Sequence, residues 1–255
     1  MNDINERSAS LVSNTCTTEA NTTNTNENSD AAKLKHLRWC VLPFIMMTSF
    51  GTYYIVDFPA TIGTGHHTSH TIESKFRRAG LVYTDTMNKN LYTVYNYPNM
   101  VLPLFGGFLI DRVLCIRKAM LLCGTLITLG SLLFWLGVVY CSYPTILIGR
   151  VMFSLFAEVQ WVARFVFTIR WFDPYFITRR LGGAPALSFA FGMSLCISRF
   201  GNSCNFLFMP KFSSWYSVDF AVFTGFIACT LSMISTIVLV ILDARVELVG
   251  ETCIY

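Results

Sequence analysis

The stretch FAVFTGFIACTLSMISTIVLVIL, residues 220–242, contains no acidic or basic side chain, and a second uncharged stretch runs from Ala119 to Gly149. A helical apolar run of about 20 residues spans the hydrocarbon core of a bilayer, at ~1.5 Å of rise per residue. Of the 255 residues, 53% are hydrophobic and only 13% are charged, whereas soluble domains carry roughly 25% charged residues. These features predict an all-α integral membrane protein.

The hydrophobic pattern on either side of these stretches predicts a bundle of six transmembrane helices within residues 34–245. Gly124, Gly130 and Gly137 supply small surfaces of the kind that let membrane helices approach closely. The six predicted spans are Leu37–Phe58, Asn90–Ile110, Ala119–Tyr140, Pro144–Ile169, Ala186–Met209 and Phe220–Leu242.

Three further segments differ from the bundle in composition. Residues 1–33 are rich in Asn, Thr, Ser and Glu and have no apolar periodicity, so they predict a disordered tail that is not a cleavable signal peptide. The polar mixture of Asp173–Pro185 fits either a cytosolic loop or an unusual insertion. Residues 246–255 are expected to form a short C-terminal tail or to mark a truncation point.

The distribution of basic residues predicts the orientation of the bundle. Cytosolic loops carry an excess of Lys and Arg. If the N-terminus lies in the cytosol, the cytosolic side receives ten basic residues and the opposite side five, namely Lys75, Arg77, Arg78, Lys89 and Lys211. This ratio favours a cytosolic N-terminus.

Several classes of function find no support in the sequence. Seven of the nine cysteines fall in or beside apolar segments, where a free cysteine behaves as a small hydrophobe. His66, His67 and His70 lie in a Gly/Thr-rich loop and are read as solvated rather than as a metal site. The basic residues sit at helix ends rather than along one face, which does not suggest nucleic-acid binding. No nucleotide-binding motif or catalytic constellation is apparent, so neither a cofactor nor enzymatic activity is expected.

The second span ends in GGFLIDRVLCIRK, residues 106–118. This stretch resembles the signature loop of the major facilitator superfamily, Gly-x-x-x-Asp-Arg followed by a basic pair, with a longer spacing before the pair. Other short stretches resemble those of one dipeptide-transporting branch of that superfamily and occur in the same order along the chain. They are Asp57-Phe-Pro59, LYTVYNYPN at 91–99, Gly149-Arg150, Glu158, Trp171-Phe172, Phe191-Gly192, Ser198-Arg-Phe-Gly201, Asn205 and LDAR at 242–245.

The resemblance implies a fold of twelve helices in two halves, of which this chain supplies the N-terminal six. It implies a uniporter-like secondary transporter that moves dipeptides or similar small zwitterions out of the lysosome. The N-terminal tail contains no clear acidic dileucine sorting signal, which leaves another endomembrane or the plasma membrane open as the address. The implied partners are the substrate, the lipid bilayer, the missing six-helix half and a glycosylated accessory membrane protein. In such a transporter a charge cluster at the cytosolic helix ends holds one conformation closed. The residues expected to act in gating or conformational change are Asp57, Asp111, Arg112 and Arg117.

Charged residues inside a bilayer cost ~2.5–3.5 kcal/mol each on insertion scales, so they need an explanation. Glu158 and Arg199 lie about twelve and thirteen residues from the inner ends of their spans, which places both roughly 18–20 Å deep, near the midplane. An acid and a base at matched depth suit the amine and carboxylate of a zwitterion, a role that the resemblance also implies. The alternative is a buried salt bridge between the two helices. Seven polar residues are plausible liners of the same cavity: Tyr92, Tyr95, Asn96, Asn99, Ser198, Asn202 and Asn205. Tyr92, Asn96 and Asn205 are the ones expected to bind substrate. Each alone could equally make a helix–helix hydrogen bond of about 0.6 kcal/mol.

Three other charged residues are less specific signals. Asp57, near the outer end of the first span, fits a structural or a functional role equally well. Arg150 begins the fourth span and is expected to extend outward to the membrane surface, as long basic side chains do. Arg164 lies about 240° around the helix from Glu158 at ~100° per residue, so it is expected on another face, at the inner cavity mouth or against a neighbouring helix.

Two rival functions remain open from the sequence alone. One is transport of sugars or organic anions by a member of the same superfamily. The other is a non-transporting six-helix scaffold or truncated isoform, whose intramembrane charges only hold its helices together.

Overall fold

The computed structural model describes residues 39–63, 70–112, 115–172 and 184–252. The predicted tail at 1–33 and most of Asp173–Pro185 lie outside these ranges. Residues 42–255 form one compact unit, and the packing described below lies within it. In chain order the helices are α1 (Trp39–Gly63), α2 (Ile72–Arg78), α3 (Asp85–Arg112), α4 (Ile116–Val139), α5 (Tyr143–Phe172), α6 (Ala184–Trp215) and α7 (Val218–Thr252).

Each of the six predicted spans corresponds to one long helix. Four of the described helices are long and apolar enough to cross a membrane: α1, α4, α5 and α7. Helices α3 and α6, of 28 and 32 residues, are also long enough, but each carries more polar side chains. The prediction of an all-α, multi-pass membrane protein is therefore confirmed. Helix α7 continues to Thr252, into the stretch expected to be a tail.

Helices α4 and α5 pack backbone against backbone at glycines. A Cβ added to Gly130 would lie 2.8 Å from the backbone nitrogen of Phe153, and one added to Gly137 would lie 2.6 Å from that of Ile146. Without a hydrophobic driving force between helices in lipid, such close van der Waals contact is a main source of helix association. The predicted role of Gly130 and Gly137 as small packing surfaces is thus confirmed.

Helices α1 and α7 meet at a polar seam. The Gly51 N–H donates to the Ser232 hydroxyl over 3.0 Å, and this hydroxyl donates to the Met47 carbonyl over 2.8 Å. The Cys229 thiol donates to the Gly51 carbonyl over 3.7 Å. The seven cysteines in the described part of the chain are free thiols. Small residues thus let the two backbones approach, and short side chains then hydrogen-bond the exposed peptide groups.

The loop between α1 and α3 contains a short helix, α2, that the hydrophobic pattern did not predict. Thr71 and Ser74 form a reciprocal capping box at its start. Its Lys75 forms an ion pair with Asp219 at the start of α7 and donates to the Val139 carbonyl over 3.3 Å. Helix α2 therefore ties the loop between α1 and α3 to the C-terminal end of α4 and the N-terminal end of α7.

Tyr83, in the loop between α2 and α3, packs against aromatic rings of α2 and α5. Its ring lies 5.2 Å from that of Phe76 and 6.3 Å from that of Tyr143. Burial, and secondarily Tyr143, raises the pKa of Tyr83 well above its ordinary value. The hydroxyl therefore keeps its proton, which it donates to the Asn88 side-chain carbonyl over 3.1 Å.

Candidate functional site

Glu158 and Arg199 occupy the middle of their helices. Glu158 lies 15 residues after Tyr143 and 14 before Phe172. Arg199 lies 15 residues after Ala184 and 16 before Trp215. At ~1.5 Å per residue both are roughly 21–24 Å from either end of a helix that is long enough to span a bilayer.

The surroundings of these two residues differ. Glu158 is half-buried and interacts with the Tyr95 hydroxyl of α3 and, more weakly, with Arg164. Arg199 is exposed on the surface of α6. Both residues are described, and no ion pair within 4 Å joins them. The salt bridge that was the alternative interpretation is thus absent from this structure.

Arg164 lies between α5 and α1. Its guanidinium contacts the Ser49 hydroxyl and interacts with the Tyr53 hydroxyl and with Glu158. The expectation that Arg164 reaches a neighbouring helix is confirmed. Its electrostatic link to Glu158 was not foreseen, because an angle between Cα–Cβ directions ignores the length and flexibility of an arginine side chain.

Arg150 corrects the sequence interpretation. It was expected to extend outward to the membrane surface, yet it is only 1% exposed and is the largest fully buried side chain in the described part of the chain. Its guanidinium donates to the carbonyls of Leu91, Ile55 and Val56. Carbonyls of two neighbouring helices thus replace the water that an outward position would have provided.

The remaining predicted substrate-binding residues are not among the side chains that interact with Glu158 in the described part of the chain. Tyr92 is half-buried and interacts with Asp57, Arg150 and the Ala60 backbone. Asn96 is exposed on α3. Asn205 is wholly buried; its side-chain carbonyl accepts from the Thr61 hydroxyl over 3.1 Å, while its amide nitrogen finds no partner. Their roles in binding stay predictions.

Tyr95, one of the plausible cavity liners, is the side chain of α3 that interacts with Glu158. Its backbone carbonyl accepts from the Ser154 hydroxyl over 2.9 Å, and its ring lies 6.3 Å from that of Phe153. A sequence signal for Tyr95 existed in the Tyr-rich stretch at 91–99, but the rotation of α3 decides which of its tyrosines faces α5.

A charge cluster joins the N-terminal end of α4, the C-terminal end of α5 and the C-terminal part of α7. The Arg117 guanidinium pairs with the Asp243 carboxylate at 2.5 Å and donates to the Asp243 carbonyl over 3.2 Å. The Trp171 indole donates to the same carboxylate over 3.0 Å, and Arg170 lies 3.9 Å from it. The predicted gating residue Arg117 is therefore joined to α5 and α7 through Asp243, which is only 4% exposed. The side chains of Asp111 and Arg112 lie outside the described residues.

Asp243 belongs to the LDAR stretch at 242–245, but the sequence analysis predicted no role for it. The available signal was an acidic residue directly after an uncharged run of 23 residues, 220–242, because such a residue needs a partner at the membrane boundary. Among the residues that the structure describes, no group of three or more His, Cys, Asp or Glu side chains is arranged to hold a metal ion.

The sequence of the chain is similar to those of known transporters. No protein-family model matches the chain. The chain is 29% identical over 228 residues to the lysosomal dipeptide transporter MFSD1 of Homo sapiens, and 28% identical over 228 residues to that of Bos taurus; each match covers 86% of this chain and 44% of the relative. The MFSD1 of Danio rerio is 28% identical over 174 residues, 66% of this chain and 32% of the relative. The chain thus spans less than half the length of these relatives, and the resemblance to a transporter of the major facilitator superfamily that its motifs predicted is confirmed.

Proposed function

We propose that this chain is the N-terminal half of a secondary transporter that moves dipeptides or similar small zwitterions out of the lysosome lumen. The observation that carries the proposal is the placement of Glu158 and Arg199 at the centres of α5 and α6. Transporters with internal repeats bind substrates near the midplane, at the interface of the repeats. The relatives are lysosomal dipeptide transporters, which supports this substrate class and address.

In this proposal Arg199 binds the substrate carboxylate and Glu158 binds its amine. Arg199 is exposed and has no carboxylate within 4 Å in the described part of the chain, so its planar fork is free for bidentate binding. Glu158 interacts with the Tyr95 hydroxyl through a hydrogen bond and with Arg164 through its charge. Because the pair is not closed on itself, a substrate does not have to break an existing salt bridge before it binds.

The charge cluster of Arg117, Arg170, Trp171 and Asp243 suits the rigid motion that such a transporter requires. Alternating access depends on one half rocking against the other around the fixed site. Arg117, Trp171 and Asp243 join α4, α5 and α7 at their inner ends, so these helices would move as one body. We assign Arg117 to gating on this basis, and Asp57, Asp111 and Arg112 on the resemblance of their motifs to those of the superfamily. The proposed partners are the second half, the bilayer and a glycosylated accessory membrane protein, with the N-terminus in the cytosol.

The test requires a chain that contains both halves, for example this chain joined to the second half of an MFSD1 relative, and uptake of labelled dipeptide into liposomes. Arg199→Ala is expected to abolish most uptake while membrane expression stays intact. Arg199→Lys should restore it only partly, because lysine keeps the charge but loses the bidentate fork. The matched control is Lys211→Ala, which removes an exposed cation near the outer end of the same helix and should leave uptake unchanged.

Glu158→Gln separates the proposal from a structural role. It is expected to impair uptake of dipeptides with a free amino terminus more than that of N-acetylated analogues. If Glu158 is only the counter-charge of the buried Arg164, Glu158→Gln lowers the melting temperature, and the double variant with Arg164→Gln recovers both stability and uptake. That recovery would refute the clamp on the zwitterion. Saturable uptake of sugars or organic anions in place of dipeptides would support the rival substrate class.

A further inference from the structure

Pro59 interrupts the hydrogen bonding of α1 near its outer end. In an α-helix the carbonyl of Ile55 accepts from the N–H four residues later, and Pro59 has none. The N–H of Ala60, which would serve the Val56 carbonyl, donates to the Asp57 carbonyl over 3.0 Å. The helix then continues as a π-helical turn, Pro59–Gly63. Two neighbouring carbonyls of α1 therefore depend on a donor from elsewhere.

Arg150 of α5 is that donor. Its Nη1 donates to the Ile55 carbonyl over 3.3 Å, and its Nη2 donates to the Val56 carbonyl. Its Nε is 3.5 Å from the Leu91 carbonyl of α3. A guanidinium has five N–H groups in a rigid plane, so a single side chain reaches carbonyls of two helices at once. A buried polar backbone group without a partner costs free energy, and Arg150 removes this cost.

The same guanidinium contacts the polar neighbour of Glu158. Its central carbon lies 4.9 Å from the centre of the Tyr95 ring and 5.7 Å from that of the Phe153 ring. Both distances are within the range of a cation–π interaction, which is stronger where the cation is desolvated. Tyr95 in turn interacts with Glu158 through its hydroxyl. Arg150 is thus linked to Glu158 through one intervening side chain.

We propose that Arg150 is a positioning residue that clamps the proline-interrupted end of α1 and the Tyr95 ring of α3 onto α5, and so sets the orientation of Glu158. The clamp itself follows from the contacts of Arg150 with the carbonyls and the ring. Its consequence for substrate binding rests on the proposed function. Arg150 also interacts electrostatically with Asp57 and Tyr92, two residues predicted to take part in gating and in substrate binding.

The clamp is tested first by stability, on this chain purified in detergent. Arg150→Gln is expected to lower the melting temperature. Pro59→Ala restores an N–H for the Ile55 carbonyl, so the loss caused by Arg150→Gln should be clearly smaller in the presence of Pro59→Ala. The matched control is Arg164→Gln, a second buried arginine of α5 that does not touch these carbonyls; its effect and that of Pro59→Ala should simply add.

Two outcomes of the stability test overturn the clamp. One is an equal loss from Arg150→Gln with and without Pro59→Ala. The other is that Pro59→Ala reduces the loss of melting temperature caused by Arg164→Gln as much as it reduces the loss caused by Arg150→Gln. If Arg150→Gln alone yields no folded protein, recovery of folded protein on adding Pro59→Ala supports the clamp, and failure to recover any refutes it.

The positioning role is tested by uptake in the chain that contains both halves. Arg150→Lys is expected to raise KM severalfold for dipeptides with a free amino terminus, to leave KM for N-acetylated analogues nearly unchanged, and to change kcat little. An equal change for both substrates would limit Arg150 to a structural role. Absence of dipeptide uptake in the unsubstituted two-half chain would instead refute the proposed function. The clamp would not be affected by that result, because the melting temperatures test it separately.

Discussion

Gly149→Ala tests whether the contact between α4 and α5 is as close as the structure places it. A Cβ at Gly149 would lie 2.6 Å from the backbone nitrogen of Phe134 and 2.8 Å from the carbonyl oxygen of Gly130. Backbone atoms cannot rotate away, so the two helices have to separate. Overpacking of this kind costs about 1–3 kcal/mol. Against this stands a gain of about 1 kcal/mol, because alanine is a better helix former than glycine.

Gly192→Ala is the matched control, because it makes the same chemical change within a helix where nothing lies within 4 Å of the new Cβ. The propensity gain cancels between the two variants, so Gly149→Ala should be about 1–3 kcal/mol less stable than Gly192→Ala.

Unfolding can be followed by reaction of the buried thiols of Cys123 and Cys229 with a fluorogenic maleimide during heating in detergent. Unfolding exposes these thiols, so the fluorescence rise reports the melting temperature. Equal melting temperatures for the two alanine variants would refute the close approach of α4 and α5.

Three further predictions follow from the same structure. Asp243→Asn should destabilise the chain by about 1–3 kcal/mol, because it removes the buried carboxylate that pairs with Arg117 and accepts from the Trp171 indole. Asp219→Asn removes a more exposed carboxylate and should cost less than about 1 kcal/mol. Equal losses in chemical unfolding would contradict this difference. A glycosylation acceptor engineered near Thr64 should be modified in cells while the natural acceptor at Asn21 stays bare, and the reverse pattern would invert the orientation. This chain reconstituted alone should show no saturable dipeptide uptake, because the site needs a second half; robust uptake would show that the chain is self-sufficient.

The six membrane helices could be predicted because the bilayer acts as a solvent that selects length and apolarity locally. A run such as 220–242 becomes a transmembrane helix whatever its neighbours are. Depth follows from the same property, since a constant rise per residue converts position into distance. The central placement of Glu158 and Arg199 was therefore available from the sequence, and it agrees with the bounds of α5 and α6.

Helix α2 was missed for a different physical reason. It is only seven residues long, too short for a hydrophobic period to stand out within a polar loop. Its stability comes from a local capping box and from the ion pair of Lys75 with Asp219, 144 positions away. A capping signal was present at Thr71 and Ser74, but it indicates a helix start without showing what the helix packs against.

The sequence by itself determined that this protein is a membrane-spanning helical bundle, and it predicted an acid and a base at matched depth. Only the tertiary structure decided which side chains meet: Arg117 with Asp243, Glu158 with Tyr95, and Arg150 with the carbonyls that Pro59 leaves unpaired. Local composition encodes length, depth and apolarity, because each helix exchanges water for lipid along its own axis. Lateral partners depend on the rotation and close approach of neighbouring helices, and these are set by contacts between residues far apart in the chain.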